Sequence, residues 1–271
     1  MTSTPALPAF ERALAVGRMG AVASLAGRAV LLGRGVFYLL VIALLATFWD
    51  RVAAEHQPGT LAPLLPAGGL AVYVGVTEWI TLSVPAIHLH LEDDIRSGAI
   101  ETHLLRPTSY PLLRIAESCG GLLVRQGVLG AIGVVALLLS GHTVPPATTW
   151  VCLVVLGALG GFVGILLFAL VGMSAFWLRR TIPIYLCVQK MSFLLGGLFA
   201  PLTLYPAWLR GISEASPFAA QLYWPAAIVV SPGAAIVSQA FTYEVLWIAL
   251  LSTLLAVIWR RGLRRMLQHT I

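Results

Sequence analysis

The sequence predicts an all-α, polytopic membrane protein with about six transmembrane helices. Of its 271 residues, 59% are hydrophobic and only 10% are charged, and the mean hydropathy is +0.90. Soluble domains carry about 25% charged residues, so this chain has too little charge to cover a surface that faces water. Lipid must therefore surround most of the chain.

Long apolar runs separated by polar or proline-containing segments place the spans and predict one membrane domain over residues 1–271. Residues 1–34 contain an amphipathic stretch (7–34), which predicts an interfacial helix leading into the first span. We expect spans at 35–49, 67–89, 118–139, 150–178, 182–204 and 243–259. Residues 205–242 are apolar but interrupted by four prolines, which predicts an extracellular insert of short interfacial or re-entrant helices.

Lysine and arginine residues are distributed unevenly between the segments that join the predicted spans. Thirteen of the 17 basic residues fall in the N-terminal segment, the second and fourth loops and the C-terminal tail, which six spans place on one side. Arg51 and Arg210 fall on the other side, and Arg125 and Lys190 fall inside spans. Because basic residues favour the cytoplasmic side, we expect both termini in the cytoplasm. We expect the protein in the cell membrane, which is the inner membrane in a cell that has two membranes.

The motifs of several catalytic classes are missing from the sequence. A phosphate-binding P-loop ends in Gly-Lys-Ser/Thr, but the one lysine, Lys190, lies between Gln189 and Met191. We therefore expect no catalytic residues and no cofactor bound by this chain. The net charge of +6 comes mostly from residues that flank spans, so it does not predict a nucleic-acid partner.

A possible metal-binding trio occurs at the end of the second predicted span. His88, His90 and Glu92 are metal-ligand types, but residues two apart on a helix point in different directions. We therefore predict no metal site there.

The second loop (91–117) predicts a short amphipathic helix. Gly98 permits a turn, Ile100, Leu104 and Leu105 form an apolar face at helical spacing, and Pro107 ends the helix. An ordinary solvated loop is the alternative, but such a loop would not need an apolar face.

This loop carries a family resemblance. The run Ile95-Arg-Ser-Gly-Ala-Ile-Glu-Thr-His-Leu-Leu-Arg-Pro107 resembles the signature loop of type 2 ABC permeases, the exporters of drugs and polysaccharides, with its Arg-x-Gly and Leu-Leu-x-Pro segments. The topology from end to end is also similar. The resemblance implies a permease in membrane lipid that pairs with a second permease, identical or paralogous, and with two cytoplasmic ATPase subunits that bind ATP and Mg. It implies that the loop docks on the ATPase through Arg96, Gly98, Ile100, Glu101, Leu104, Leu105 and Pro107.

The resemblance implies export of an amphipathic or hydrophobic substrate, such as a drug, an antibiotic or a lipid-like metabolite. The predicted spans also contain Glu78, Arg125 and Lys190, which must face protein or water rather than lipid. These charges line the substrate path in one interpretation and form a structural Glu78–Lys190 ion pair in another. They also leave open an ion-coupled secondary transporter, which would need no ATPase, whereas a membrane anchor without transport activity would leave these charges without a clear role.

Glycines in the fourth span predict a close helix contact. Gly157 and Gly161, and likewise Gly160 and Gly164, are four residues apart on one face of the helix. We expect this face to pack inside the monomer.

Overall fold

The computed structural model describes residues 9–55, 69–104, 109–141 and 145–269, and within these ranges it contains helices and no strand. The helices are α1 (Ala9–Ala26), α2 (Arg28–Glu55), α3 (Gly69–Ser83), α4 (Ile87–Arg96), α5 (Ala99–Leu104), α6 (Tyr110–Ser140), α7 (Ala147–Met173), α8 (Ile182–Leu195), α9 (Ala207–Glu214), α10 (Pro217–Gln221), α11 (Tyr223–Val230) and α12 (Ala234–His269). Two 3-10 turns lie at Ser174–Phe176 and Leu202–Leu204.

Five helical stretches of the described chain are long and apolar enough to cross a membrane, which confirms the all-α polytopic fold. They are Arg28–Trp49, Gly69–Arg96, Tyr110–Ser140, Ala147–Phe176 and Ala234–Met266. The fifth predicted span, 182–204, is shorter than expected because α8 has only 14 residues, about 21 Å of helix. It ends at Gly196 and Gly197, and Gly197 adopts a φ of +67° that turns the chain out of the helix.

The N-terminal segment is divided at Gly27 rather than forming one helix through residue 34. Arg28 and Arg34 therefore belong to the first spanning helix, α2. Helix α1 packs closely on α6, because a methyl group at Gly20 or Gly120 would overlap the backbone of the other helix. The location of α1 on the membrane surface stays a prediction.

The second span is broken at Pro85. Proline lacks a backbone N–H, so it leaves carbonyl groups of the preceding turn without their helical partners. Helix α3 ends at Ser83, and α4 begins at Ile87 and extends beyond the predicted end of the span at 89. The break faces α2 and α6, and an arginine side chain of each helix, Arg34 and Arg125, reaches it.

Helix α7 is the centre of the bundle, and its glycine face packs inside the chain as predicted. A methyl group at Gly157 would overlap the Trp79 ring, and one at Gly160 would crowd the carbonyl group of Gln221. Small residues thus allow α3 and the segment before α12 to approach α7 closely.

The insert before the last span consists of α9, α10 and α11. Helices α10 and α11 are largely buried and pack against α3, α7 and α12, and the placement of the insert relative to the membrane stays a prediction. The insert ends at 233 rather than 242, because α12 begins at Ala234 directly after Pro232 and Gly233. The apolar residues 234–242 extend the last span.

Candidate functional site

The loop after the second span forms two short helices joined by a tight turn. Helix α4 ends at Arg96, Gly98 adopts a φ of +75°, and α5 follows from Ala99. A side chain at position 98 would strain this backbone, so the glycine fixes the direction in which α5 leaves α4. Helix α6 begins at Tyr110, so the predicted loop 91–117 already contains the start of the third span.

Acidic side chains of α4 tie the loop to two other spans. Glu92 is buried and accepts hydrogen bonds from the Thr181 backbone N–H (3.1 Å) and from the Thr181 hydroxyl, immediately before α8. Asp94 accepts from Arg114 Nε (2.9 Å) and from the Tyr110 hydroxyl on α6. Hydrogen bonds to charged groups are among the strongest in proteins, so α4 is firmly connected to α6 and to the start of α8.

Aromatic contacts extend this network to the last span. The Tyr110 ring stacks on Trp259 of α12 with centroids 5.7 Å apart, and Phe176 meets Trp259 edge-on at 6.0 Å. Glu92, Arg114, Thr181 and Trp259 therefore lie at one end of the bundle, which we call the charged end.

The structure distributes the predicted docking residues unevenly. Arg96 and Glu101 are exposed, as a docking surface requires. Ile100 is fully buried, so the predicted insertion of its side chain into a partner is corrected: it packs in the core that contains Leu91 and Tyr110. Only the backbone of Leu104 is described, and Leu105 and Pro107 lie outside the described residues. The docking role of this loop stays a prediction.

The three intramembrane charges do not come together. Glu78 is buried and lines a cavity between α2, α3 and α8. Arg125 extends toward the Val84 carbonyl oxygen, 3.5 Å away. Lys190 is exposed on α8, with its Nζ 5.3 Å from the centroid of the Phe193 ring. Among the described residues there is no ion pair between Glu78 and Lys190 within 4.0 Å.

Two further functional candidates were not singled out by the sequence. Arg34 lines the same cavity and donates a hydrogen bond to the Leu82 carbonyl oxygen at the break in the second span. Gln221 reaches the cavity from the insert and accepts a hydrogen bond from the Ser192 hydroxyl (3.2 Å). Pro85 within an apolar run is the one sequence signal that predicts the break.

The histidines at the end of the second span point in different directions. His88 is buried and stacks on Tyr185 with ring centroids 4.1 Å apart, whereas His90 is exposed. His88 thus joins α4 to α8 in the same network as Glu92.

A protein-family model described as "ABC-2 family transporter protein" matches residues 70–268, well over half of the chain. The chain belongs to the ABC-2 transporter family. Comparisons with curated proteins and with solved structures gave no match. The chain is thus a multi-pass membrane permease subunit of an ABC transporter, a family whose permeases work with an ABC ATPase subunit. The matched region begins at the second span and contains every element of the network at the charged end.

Proposed function

We propose that this permease is the membrane-spanning half of an ATP-driven exporter and that the α4–α5 loop receives the motion of the ATPase. The observation that carries the proposal is the bonding of this loop. Glu92 connects it to α8, Asp94 connects it to α6, and Tyr110 carries the contact on to α12. Because of these links, a displacement of the loop moves several helices together. Such a joint movement suits a permease that switches between two conformations whose equilibrium depends on nucleotide binding to the ATPase.

In the proposed orientation, the charged end and both termini face the cytoplasm. The permease lies in the cell membrane, which is the inner membrane in a cell that has two. The positive-inside rule supports this orientation, since eleven of the 17 basic residues lie in segments assigned to that side even when Arg28 and Arg34 are counted with the first spanning helix. The insert α9–α11 is then extracellular, and two ATPase subunits, which bind ATP and Mg, dock from the cytoplasm.

A second permease, identical or paralogous, completes the proposed transporter. Lys190 supports this partner because its side chain is exposed on α8, inside an apolar segment. A lysine in such a segment faces protein or water rather than lipid. The cavity lined by Glu78 and Arg34 opens beside the same helix, so the proposed substrate path runs along α2, α3 and α8.

The proposed cargo is amphipathic or hydrophobic, in keeping with this cavity. It has a volume of about 640 Å³, and most of its walls are apolar, with a few polar groups between them. Pockets of this kind hold small amphipathic ligands, in which a few polar contacts fix the orientation.

The test is purification of the tagged permease from its native membranes, followed by transport in inverted vesicles. We expect an ABC ATPase to copurify and ATP to drive uptake of a fluorescent amphipathic dye into the vesicles. A permease that reproducibly purifies without an ATPase, and whose dye uptake follows an imposed proton gradient instead of ATP, would favour an ion-coupled transporter.

A further inference from the structure

The cavity between α2, α3 and α8 has polar residues on its α3 and α8 sides, including Glu78, Ser192 and Gln221, and an apolar wall formed by α2 beyond Arg34. Arg34 near the start of α2, Tyr185 in the first turn of α8 and Gln189 at its middle line the part toward the charged end. Leu44 and Phe199 line the opposite part. The α2 wall thus suits an amphipathic molecule, with the polar group at Arg34 and the apolar part along Phe37, Val41 and Leu44.

Two arginines converge beside the polar end. Arg34 donates to the Leu82 carbonyl oxygen and Arg125 extends toward the Val84 carbonyl oxygen, so both side chains reach the break between α3 and α4. Carbonyl groups at the end of a helix attract cations, which explains why both arginines are held there. A guanidinium has five N–H donors, however, and the bond to Leu82 uses only part of that capacity on Arg34.

The positive charge at this place is not compensated within the described part of the chain. No described carboxylate lies within 4.0 Å of Arg34 or Arg125. Glu78 lines the same cavity, but it is one carboxylate against two guanidinium groups. An unpaired arginine inside a membrane segment is costly and normally has an anionic or polar partner.

We propose that this cavity binds an anionic amphipath, with its phosphate or carboxylate on Arg34 and its hydrocarbon chain along the apolar wall of α2. Arg125 adds positive potential from the other side of the helix break. Basic pockets between membrane helices on the cytoplasmic side suit the headgroups of acidic lipids, and an arginine fork suits phosphate and carboxylate. The ligand is either a resident lipid or transported cargo, and in the second case the inference deepens the proposed export function.

The binding test uses the permease purified with its copurifying partner in detergent. The probes are fluorescent phosphatidylglycerol, which is anionic, and fluorescent phosphatidylcholine with the same chains, which is zwitterionic. We expect the wild-type protein to bind the anionic lipid at least about tenfold more tightly, the scale of one charge-assisted contact. Equal affinity for both lipids would overturn the proposal.

Three variants of α2 separate charge from folding. Arg34→Gln keeps a donor for the Leu82 carbonyl but removes the charge, so it should abolish the preference, whereas Arg34→Lys should retain most of it. Arg28→Gln changes an exposed arginine on the same helix outside the cavity and should leave the preference unchanged. An unchanged preference in Arg34→Gln, with elution on gel filtration as for the wild type, would overturn the assignment of Arg34.

Three further measurements identify the nature and the source of the ligand. Val41→Trp fills space along the apolar wall and should weaken the binding of both lipids equally if the hydrocarbon chain lies there. Inorganic phosphate should compete less strongly than a short-chain phosphatidylglycerol. Equally strong competition by the two would overturn the proposal that the ligand is amphipathic. ATP-dependent movement of the anionic lipid between leaflets in proteoliposomes would identify it as cargo. Retained Arg34-dependent binding without such movement would identify a resident lipid, and it would hold even if the export proposal failed.

Discussion

The carboxylate of Glu92 bonds to Thr181, a residue 89 positions later in the sequence, and so joins α4 to the start of α8. Glu92 accepts hydrogen bonds from both the backbone N–H and the hydroxyl of Thr181, and its side chain is almost fully buried. The link fixes the end of α4 to the start of α8 at the charged end. It connects the proposed docking loop to the helix beside the proposed substrate path.

Replacing Glu92 with alanine should destabilise the permease measurably. The change leaves the buried Thr181 donors without their acceptor, which costs about 1–3 kcal/mol. We expect thermal unfolding in detergent to shift down by several degrees. The matched control is Asp93→Ala, which removes an exposed carboxylate from the next position of the same helix. Equal thermal midpoints for the two variants would show that the Thr181 bonds contribute nothing.

Replacing Gly120 with leucine should separate α1 from α6. A side chain there would overlap the backbone of α1 at Gly17, and neither backbone can move aside as a flexible side chain could. We expect trypsin to cleave faster at Arg18 once α1 loses this contact.

Gly33→Leu is the matched control for this change, because a methyl group at Gly33 meets no atom within 4 Å. Cleavage of the Gly120→Leu variant at the wild-type rate would mean that α1 stays in place without the glycine contact.

The sequence predicted the helical class, the glycine face of α7 and the separation of the insert, because these follow from hydropathy and from residue size. It failed where neighbouring segments decide the outcome. Ile100 has the spacing of an exposed docking face, yet it is buried in the core cluster that also contains Leu91 and Tyr110. Helix spacing defines a face but does not tell which neighbour covers that face.

The membrane charges show the same limit. Glu78 and Lys190 could be predicted to avoid lipid, but their positions relative to each other depend on how α3 and α8 rotate in the bundle. Arg34 was assigned to an interfacial helix because the sequence does not show that the helix restarts at Arg28. Pro85 could have predicted the break, but not that two arginines converge on it.

Replacing Lys190 with glutamine should weaken the contact between permeases. Its exposed ammonium group lies on α8, where we propose the second permease packs. We expect fewer cross-linked permease pairs in native membranes, with Lys190→Arg near the wild-type level because it keeps the charge. The swapped pair Glu78→Lys with Lys190→Glu should not restore pairing, since the two side chains form no ion pair within the chain. Restoration by the swap would support direct contact between them, including contact across two copies.

The orientation is tested with single cysteines in a variant that lacks Cys119, Cys152 and Cys187. Ser97→Cys lies in the turn before α5, and Gly233→Cys lies between α11 and α12, where an added side chain meets no neighbour. A membrane-impermeant thiol reagent should label Ser97→Cys only in inverted vesicles. It should label Gly233→Cys from outside, once any outer membrane is permeabilised. The reverse pattern would overturn the placement of the charged end in the cytoplasm.

The most direct test of the account is a photo-crosslinking amino acid in place of Glu101, the exposed residue of α5 that we assign to docking. The same amino acid in place of Gly233 serves as the control at the opposite end of the chain's last span. Irradiation of native membranes should join the Glu101 variant, and not the Gly233 variant, to a polypeptide that mass spectrometry identifies as an ABC ATPase. Capture of the ATPase at Gly233 but not at Glu101, or at neither position when the two proteins copurify, would contradict the docking of the ATPase on the α4–α5 loop.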